Sequence, residues 1–181
     1  MNTHLTPYAD IIEALCQWAE SHNADSLKYE NLPEILTLSK HDVSQISKVM
    51  SAILSFAETD IRLYVINALP HLVPSDVMID LLLPYLSDSS SGIRWTLCEL
   101  FHGYPDSRVV LPLVKVLQND ADPNVRLVAA EALYAVGDER AIPALAYAEK
   151  YDKGKDYEDR TIANAAHEAI AAIKKRMKSK C

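Results

Sequence analysis

A twelve-residue segment recurs three times in this chain of 181 residues, each time displaced by 32 positions. The copies begin at Ile61, Ile93 and Val125 and read IRLYVINALPHL, IRWTLCELFHGY and VRLVAAEALYAV. A fixed period of this length is typical of proteins that stack one structural unit repeatedly along the chain. This period therefore constrains the fold more strongly than any other feature of the sequence.

The spacing of apolar residues within each copy predicts an amphipathic helix. Apolar side chains stand at its first, fifth, eighth and twelfth positions, which share one face of a helix. Further helices are predicted over residues 77–86, 109–117 and 141–148. Each is the first helix of a pair, and the copies at Ile93 and Val125 are the second helices that follow the first two. Asp or Ser residues just upstream can accept hydrogen bonds from the free N–H groups at these helix starts.

Similar apolar segments extend the pattern in both directions. Residues 44–56 and 159–174 complete a set of four helix pairs, so the array is predicted to span residues 44–174. Residues 1–40 are predicted to form an irregular N-terminal helical cap, and residues 175–181 a basic tail. We expect all of these parts to belong to a single domain.

The composition supports a helical fold. Only 4 residues are Gly, too few for an all-β protein, which uses glycine in its many tight turns. Apolar residues make up 49% of the chain, which suffices for a buried core and is incompatible with a disordered chain. The predicted fold class is all-α, a short α-solenoid of helix pairs.

One stretch of the chain carries a family pattern. Residues 119–145 read NDADPNVRLVAAEALYAVGDERAIPAL, with the order D-P-x-V-R, A-A-x-A-L, G-D and A-I-P-A-L. This pattern resembles the HEAT-repeat family, specifically the short HEAT-like repeats first described in phycobilisome lyases, and the resemblance covers about residues 44–174. It implies an α-solenoid whose second helices line a concave binding surface. It implies little about the ligand, because one fold serves many functions.

An arginine occupies the second position of every copy. These are Arg62, Arg94 and Arg126, and Asp88 and Asp120 end the preceding helices six residues before Arg94 and Arg126. Because a planar guanidinium pairs well with a carboxylate through two hydrogen bonds, we predict a structural ladder of Arg–Asp contacts between neighbouring repeats. The alternative interpretation is a row of guanidinium groups that binds phosphate.

The side of each second helix opposite its apolar stripe is the candidate binding face. Acidic or amide side chains share one column there, and aromatic side chains and a histidine lie nearby. The candidates for partner binding are Asn67, Trp95, Glu99, His102, Glu131 and Tyr134. Aromatic anchors beside acids suit a basic protein partner. The alternative is a solvated polar face with Trp95 packed between repeats.

Charge is distributed unevenly along the chain. The net charge is −7, from 25 acids and 18 Lys and Arg residues, and five of those bases lie in residues 174–180. Residues 1–173 therefore carry 13 bases against 25 acids, a net charge of −12. An acidic body repels nucleic acid and attracts basic partners. The basic end is interpreted as a solvated helix end that interacts favourably with the helix dipole.

The sequence contains no pattern typical of catalysis or metal binding. Cys16, Cys98 and Cys181 are far apart, and the six histidines show no metal-ligand spacing. We therefore expect no metal and no cofactor. A signal-peptide pattern and a long apolar run are also missing, which favours a protein of the reducing cytoplasm without a membrane partner. We expect the protein to be a monomer on its own.

These observations favour a non-catalytic protein-binding module. Its most specific form is an acidic inhibitor or immunity protein that neutralises a basic, nuclease-type toxin, because small acidic HEAT-like proteins resemble such inhibitors in size and charge. One alternative is an enzyme subunit of the phycobilin-lyase type, implied only by the repeat resemblance. Another is a HEAT-like alkylpurine DNA glycosylase, which needs a basic concave face that the acidic body does not offer.

Overall fold

The computed structural model describes residues 59–179, together with Ser47, Ser51, Leu54 and Ser55, which are helical. The predicted N-terminal cap, residues 1–40, lies outside the described residues, as does most of the helix predicted over 44–56. The chain, predicted to form one domain, divides into two compact units, residues 1–82 and 83–181.

The first unit contains helices α1 (Thr59–Leu72) and α2 (Ser75–Leu82). Helix α1 corresponds to the first sequence copy and buries Val65 and Leu69. The prediction of a helix over residues 77–86 is wrong at its C-terminal end, because the chain passes after Leu82 into a 3-10 turn. Pro84 explains this change, since proline has no N–H group and its ring clashes with the preceding helical turn.

The second unit contains five α-helices in its described residues. They are α3 (Ser91–His102), α4 (Ser107–Asn119), α5 (Pro123–Val136), α6 (Ile142–Tyr151) and α7 (Ile162–Ser179), with 3-10 turns at Leu83–Ser87 and Glu139–Ala141. Residues 59–179 form no β-strand and only one isolated bridge, between Lys155 and Thr161. The predicted all-α class is confirmed.

Helices of the second unit pack in successive pairs. Helix α3 contacts α5, and α5 contacts α7, so the second helices of the repeats lie side by side. Helix α4 contacts α5 and α6, and α6 contacts α7. Phe101, Leu133 and Ile173 are fully buried between these helices, and each such side chain contributes about 1.5–3 kcal/mol through burial. Every pair thus depends on its neighbour for much of its core, as in a solenoid.

Aspartate side chains cap the N-termini of α4 and α5. Asp106 accepts a hydrogen bond from the N–H of Arg108 at the start of α4 (2.8 Å), and Asp122 accepts one from Asn124 at the start of α5 (2.9 Å). Pro123 stands at the first turn of α5, where a missing N–H group costs nothing. These caps fix where each helix begins and hence which residues face its neighbours.

The arginine column joins neighbouring repeats. Arg94 donates through Nε and Nη2 to the carboxylate of Asp120 (2.6 and 2.8 Å), and through Nη1 to the carbonyl of Asp88 (2.7 Å). Arg126 repeats the arrangement with the carboxylate of Asp152 (2.8 and 3.1 Å) and the carbonyl of Asp120 (2.8 Å). Each arginine therefore connects the loop of its own helix pair to the loop of the next pair, and neither guanidinium is available to phosphate.

Arg62, the first residue of the column, lies in the first unit. There its Nη2 donates to the hydroxyl of Thr59 at 3.4 Å.

Gly154, in the second unit, lies against the Arg126–Asp152 pair. A Cβ atom added to this glycine would lie 2.7 Å from Nη2 of Arg126 and 2.7 Å from Cδ1 of Ile162. A larger residue at this position would displace the ion pair, which explains the glycine.

The last helix differs from its prediction at both ends. The sequence predicts it over residues 159–174, but it begins at Ile162, because residues 152–161 form a loop, and it continues to Ser179. Most of the predicted tail, residues 175–181, is therefore helical. Arg176 within it donates to the carbonyls of Tyr134 (2.6 Å) and Gly137 (2.8 Å), and so satisfies free carbonyl groups at the end of α5.

Candidate binding cleft on the second helices

A cleft of about 440 Å³ opens on the surface formed by the second helices of the last three repeats. Helices α3, α5 and α7 and the end of the loop before α7 contribute its walls. Four of the six predicted binding residues line it, namely Glu99, His102, Glu131 and Tyr134. They come together because residues 32 positions apart lie at equivalent places on adjacent parallel repeats.

The two other predicted binding residues lie elsewhere. Trp95 keeps 42% of its surface exposed on α3 but does not line the cleft. Asn67 lies on α1 in the first unit, where its side-chain amide donates to the carbonyl of Leu63 (3.0 Å). Within the second unit the structure thus brings together four of the candidates, on α3 and α5, and leaves Trp95 outside the cleft.

The remaining polar walls come from the last repeat, from which the sequence predicts no site residue. They are formed by Arg160, Thr161, Asn164 and Glu168, and Leu127 adds an apolar surface. The repeat register is lost in the loop of residues 152–161, so none of these residues shares the 32-residue columns. Only the irregular position of Arg160, two residues away from the arginine column, marks this region in the sequence.

Arg160 is the cationic group of the cleft. Its Nη1 donates to Oε1 of Glu131 (2.7 Å), and its Nε donates to Oδ2 of Asp156 (2.8 Å). Asp156 is buried and also accepts hydrogen bonds from the backbone N–H groups of Glu158 and Arg160. The loop before α7 is therefore organised around the Asp156 carboxylate, with the guanidinium extending into the cleft.

The carboxyl group of Glu131 is incompletely solvated. Burial raises its pKa above the ordinary glutamate value, the guanidinium of Arg160 opposes this shift, and the negative charge of Glu99 adds to it. The guanidinium of Arg160 therefore partly offsets both the loss of hydration of Glu131 and the repulsion from Glu99.

The other two carboxylates of the cleft have no cationic partner. Glu99 on α3 and Glu168 on α7 form no ion pair with any described residue, whereas Glu131 is paired with Arg160. Three carboxylates thus face one guanidinium in the cleft. The excess negative charge is local and does not depend on the overall composition of the chain.

A second and larger groove, of about 580 Å³, runs beside α4 and offers less to a ligand. Arg94 and Asp120 form part of its wall, but they bind each other through two hydrogen bonds. The guanidinium and the carboxylate in this wall are therefore already engaged in the arginine ladder. We assign the binding role to the smaller cleft, where carboxylates remain unpaired.

Two observations on the described residues concern metal binding and nucleophilic chemistry. No cluster of three or more His, Cys, Asp or Glu side chains among them could hold a metal ion. Cys98 is buried in α3, and burial raises the pKa of its thiol far above the ordinary value. A thiol of this kind packs as a small apolar side chain and is a poor nucleophile.

Comparison with known families agrees with the helix pairs described above. Residues 79–164 match the family model of HEAT repeats. This segment of the chain therefore consists of HEAT repeats, and it includes most of the cleft. The narrower resemblance to the repeats of phycobilisome lyases stays a prediction. A comparison with curated proteins finds no matching relative.

Within the described part of the chain, no helix has both the length and the apolar character needed to cross a bilayer. The last helix, α7, is the longest at 18 residues but carries several lysines and an arginine near its end.

Proposed function

We propose that this chain is a non-catalytic HEAT-repeat module that binds a basic protein partner in the cleft of α3, α5 and α7. The observation that carries the proposal is the pair of carboxylates, Glu99 and Glu168, which lie on the helices at either side of Glu131 and form no ion pair within the described part of the chain. Complementary charge accelerates encounter and selects against acidic partners. Tyr134, which is 48% exposed, supplies an aromatic surface on which a cationic side chain can lie.

The most specific form of this proposal is an inhibitor or immunity protein that neutralises a basic, nuclease-type toxin. A nuclease holds its substrate through positive groups, so an acidic protein with a sequence pI near 5.3 has the charge needed to cover them. We propose that it acts as a cytoplasmic monomer without a nucleic-acid or membrane partner. The acidic cleft disfavours the DNA glycosylase alternative, which needs positive groups against phosphate.

The phycobilin-lyase alternative is supported by a single feature, the presence of His102 in the same cleft as the carboxylates. A histidine beside acids could move protons. However, three carboxylates against one guanidinium repel a ligand that itself carries carboxylates, as bilin pigments do. The charge of the cleft therefore favours protein binding over this enzyme class.

A fluorescently labelled oligo-arginine peptide tests the proposed function. We expect it to bind the full chain at low ionic strength, and we expect the affinity to fall steadily as salt is raised, because salt screens exposed charges. Fluorescence anisotropy measures both. Glu168→Gln should weaken binding by about two- to fivefold, the effect of removing one exposed charge pair.

The control is Glu139→Gln, which removes an exposed carboxylate from the turn before α6, outside the cleft. It should change the affinity less than Glu168→Gln does. An oligo-glutamate peptide should not bind. Binding that is independent of salt and of Glu168 would show that the proposed function is wrong.

A further inference from the structure

Arg160 is held at its two ends by carboxylates in very different surroundings. The side chain of Asp156 is only 2% exposed, whereas that of Glu131 is 36% exposed and that of Arg160 itself 51% exposed. The contact with Asp156 belongs to the interior of the loop. The contact with Glu131 lies in the open cleft.

The two contacts also differ in what they support. Asp156 accepts a side-chain hydrogen bond from Arg160 and two backbone N–H bonds, from Glu158 (2.9 Å) and from Arg160 itself (2.8 Å). The two backbone bonds to Asp156 hold the loop whether or not the guanidinium of Arg160 also binds Glu131. The bond from Nη1 of Arg160 to Glu131 is an exposed ion pair between separate elements, and such pairs contribute little to stability. It can therefore open without loss of the fold.

Glu131 lies on α5, between the helices that carry Glu99 and Glu168, and its Oε1 already accepts a hydrogen bond from Arg160. A second guanidinium would have to bind Oε2, close to the charge of Arg160. A partner arginine attracted by Glu99 and Glu168 would meet the Glu131 carboxylate next, and Arg160 stands against it there. Two guanidinium groups at one carboxylate repel each other. The partner and Arg160 therefore compete for the same group.

We propose that Arg160 is an intramolecular competitor, which occupies Glu131 in the free protein and is displaced by an arginine of the partner. This inference rests on the proposed function and adds a regulation to it. Arg160 raises the threshold for binding, so that only a partner with several basic groups, which also engages Glu99 and Glu168, gains enough to displace it. The contact gives the cleft selectivity at the expense of affinity.

The test measures binding of the labelled oligo-arginine peptide to Arg160→Gln. We expect the affinity to rise by about two- to fivefold, since one exposed ion pair no longer has to be broken. Arg140→Gln is the matched control, because it removes the same charge from an exposed arginine paired with Asp138 outside the cleft. It should raise the affinity less.

The decisive comparison uses Glu131→Gln as a background. Competition requires the Glu131 carboxylate, so in that background Arg160→Gln should give only the small effect of Arg140→Gln. Arg160→Lys provides a second variant that keeps the charge and can still reach Asp156 but cannot donate to both carboxylates as a fork. It should give an intermediate rise, and circular dichroism should report unchanged helix content in all variants.

The results separate the inference from the proposed function. Suppose that the wild type binds the peptide in a salt-dependent way but that Arg160→Gln and Arg160→Lys do not raise the affinity, or raise it equally with and without the Glu131 carboxylate. The inference that Arg160 competes for Glu131 is then wrong, and the proposed binding function stands. If neither the wild type nor any variant binds the peptide at low salt, the proposed function itself is wrong.

Discussion

Arg126→Ala is expected to lower the free energy of unfolding by about 1–3 kcal/mol, the range for hydrogen bonds to charged groups that are shielded from water. Arg126 and Asp152 have side chains only 18% and 16% exposed, and the arginine also donates to the carbonyl of Asp120. Removing it leaves the Asp152 carboxylate without its cation and deletes one polar link between the last two helix pairs. Chemical denaturation followed by circular dichroism measures the loss.

Two further variants test the reason for this loss. Arg126→Lys keeps the charge but lacks the fork, so we expect it to recover only part of the stability. Arg108→Ala breaks a pair of the same chemistry, with Asp106, that is local and more exposed, so its loss should stay below about 1 kcal/mol. Equal losses for Arg126→Ala and Arg108→Ala would contradict a role of the ladder in joining repeats.

The difference in unfolding free energy between the wild type and Arg126→Ala should depend on pH because of Asp152. Burial raises the pKa of Asp152, but the hydrogen bonds from Arg126 and from the N–H of Gly154 outweigh it, so the pKa lies below its ordinary value. A lowered folded-state pKa stabilises the fold above the unfolded-state pKa, and this stabilisation is lost as the pH falls through the lowered value. The stability difference between wild type and Arg126→Ala should therefore narrow in acid.

The double charge reversal Glu99→Lys with Glu131→Lys is expected to slow association with the oligo-arginine peptide by about ten- to a hundredfold at low salt. The change replaces two carboxylates of the cleft by ammonium groups and places one of them against Arg160. Stopped-flow fluorescence measures the association rate. The effect should shrink as salt is raised, because screening weakens steering between exposed charges.

A matched double reversal distinguishes the cleft from the charge of the whole chain. Glu139→Lys with Glu149→Lys changes the net charge equally, at exposed positions in the turn before α6 and on α6 itself. Glu149 pairs with the exposed His167, a contact of little energetic value. A similar slowing by both double variants would mean that net charge alone steers the partner and that the cleft has no special part.

Much of the fold could be predicted from the 32-residue offset, because periodic burial determines which face of each helix packs. The second helices and the contact of Arg94 with Asp120 follow from the aligned columns. The same offset leads from Asp120 to Asp152, so the partner of Arg126 could also have been found in the sequence. The break at Pro84 could have been anticipated too, whereas the loop of residues 152–161 depends on contacts around Asp156 that no column contains.

The candidate site was predictable only where it belongs to regular repeats. Glu99 and Glu131 share a column, and His102 and Tyr134 share another, so the alignment of the repeats is enough to place these four residues on one face. Arg160 and Glu168 enter the cleft through the irregular last repeat, and their approach to α5 is a tertiary effect. The sequence therefore predicts an acidic face but not the guanidinium that partly neutralises it.

The central claim is that a basic partner binds in the cleft of α3, α5 and α7. The most direct test follows the assigned backbone amide NMR signals of the 20.2 kDa chain during titration with the oligo-arginine peptide at low salt. The proposal predicts that the largest chemical-shift changes lie around Glu99, Glu131 and Glu168 and shrink when salt is added. Changes that are largest on α4 and α6, or spread evenly over the acidic surface, would contradict it.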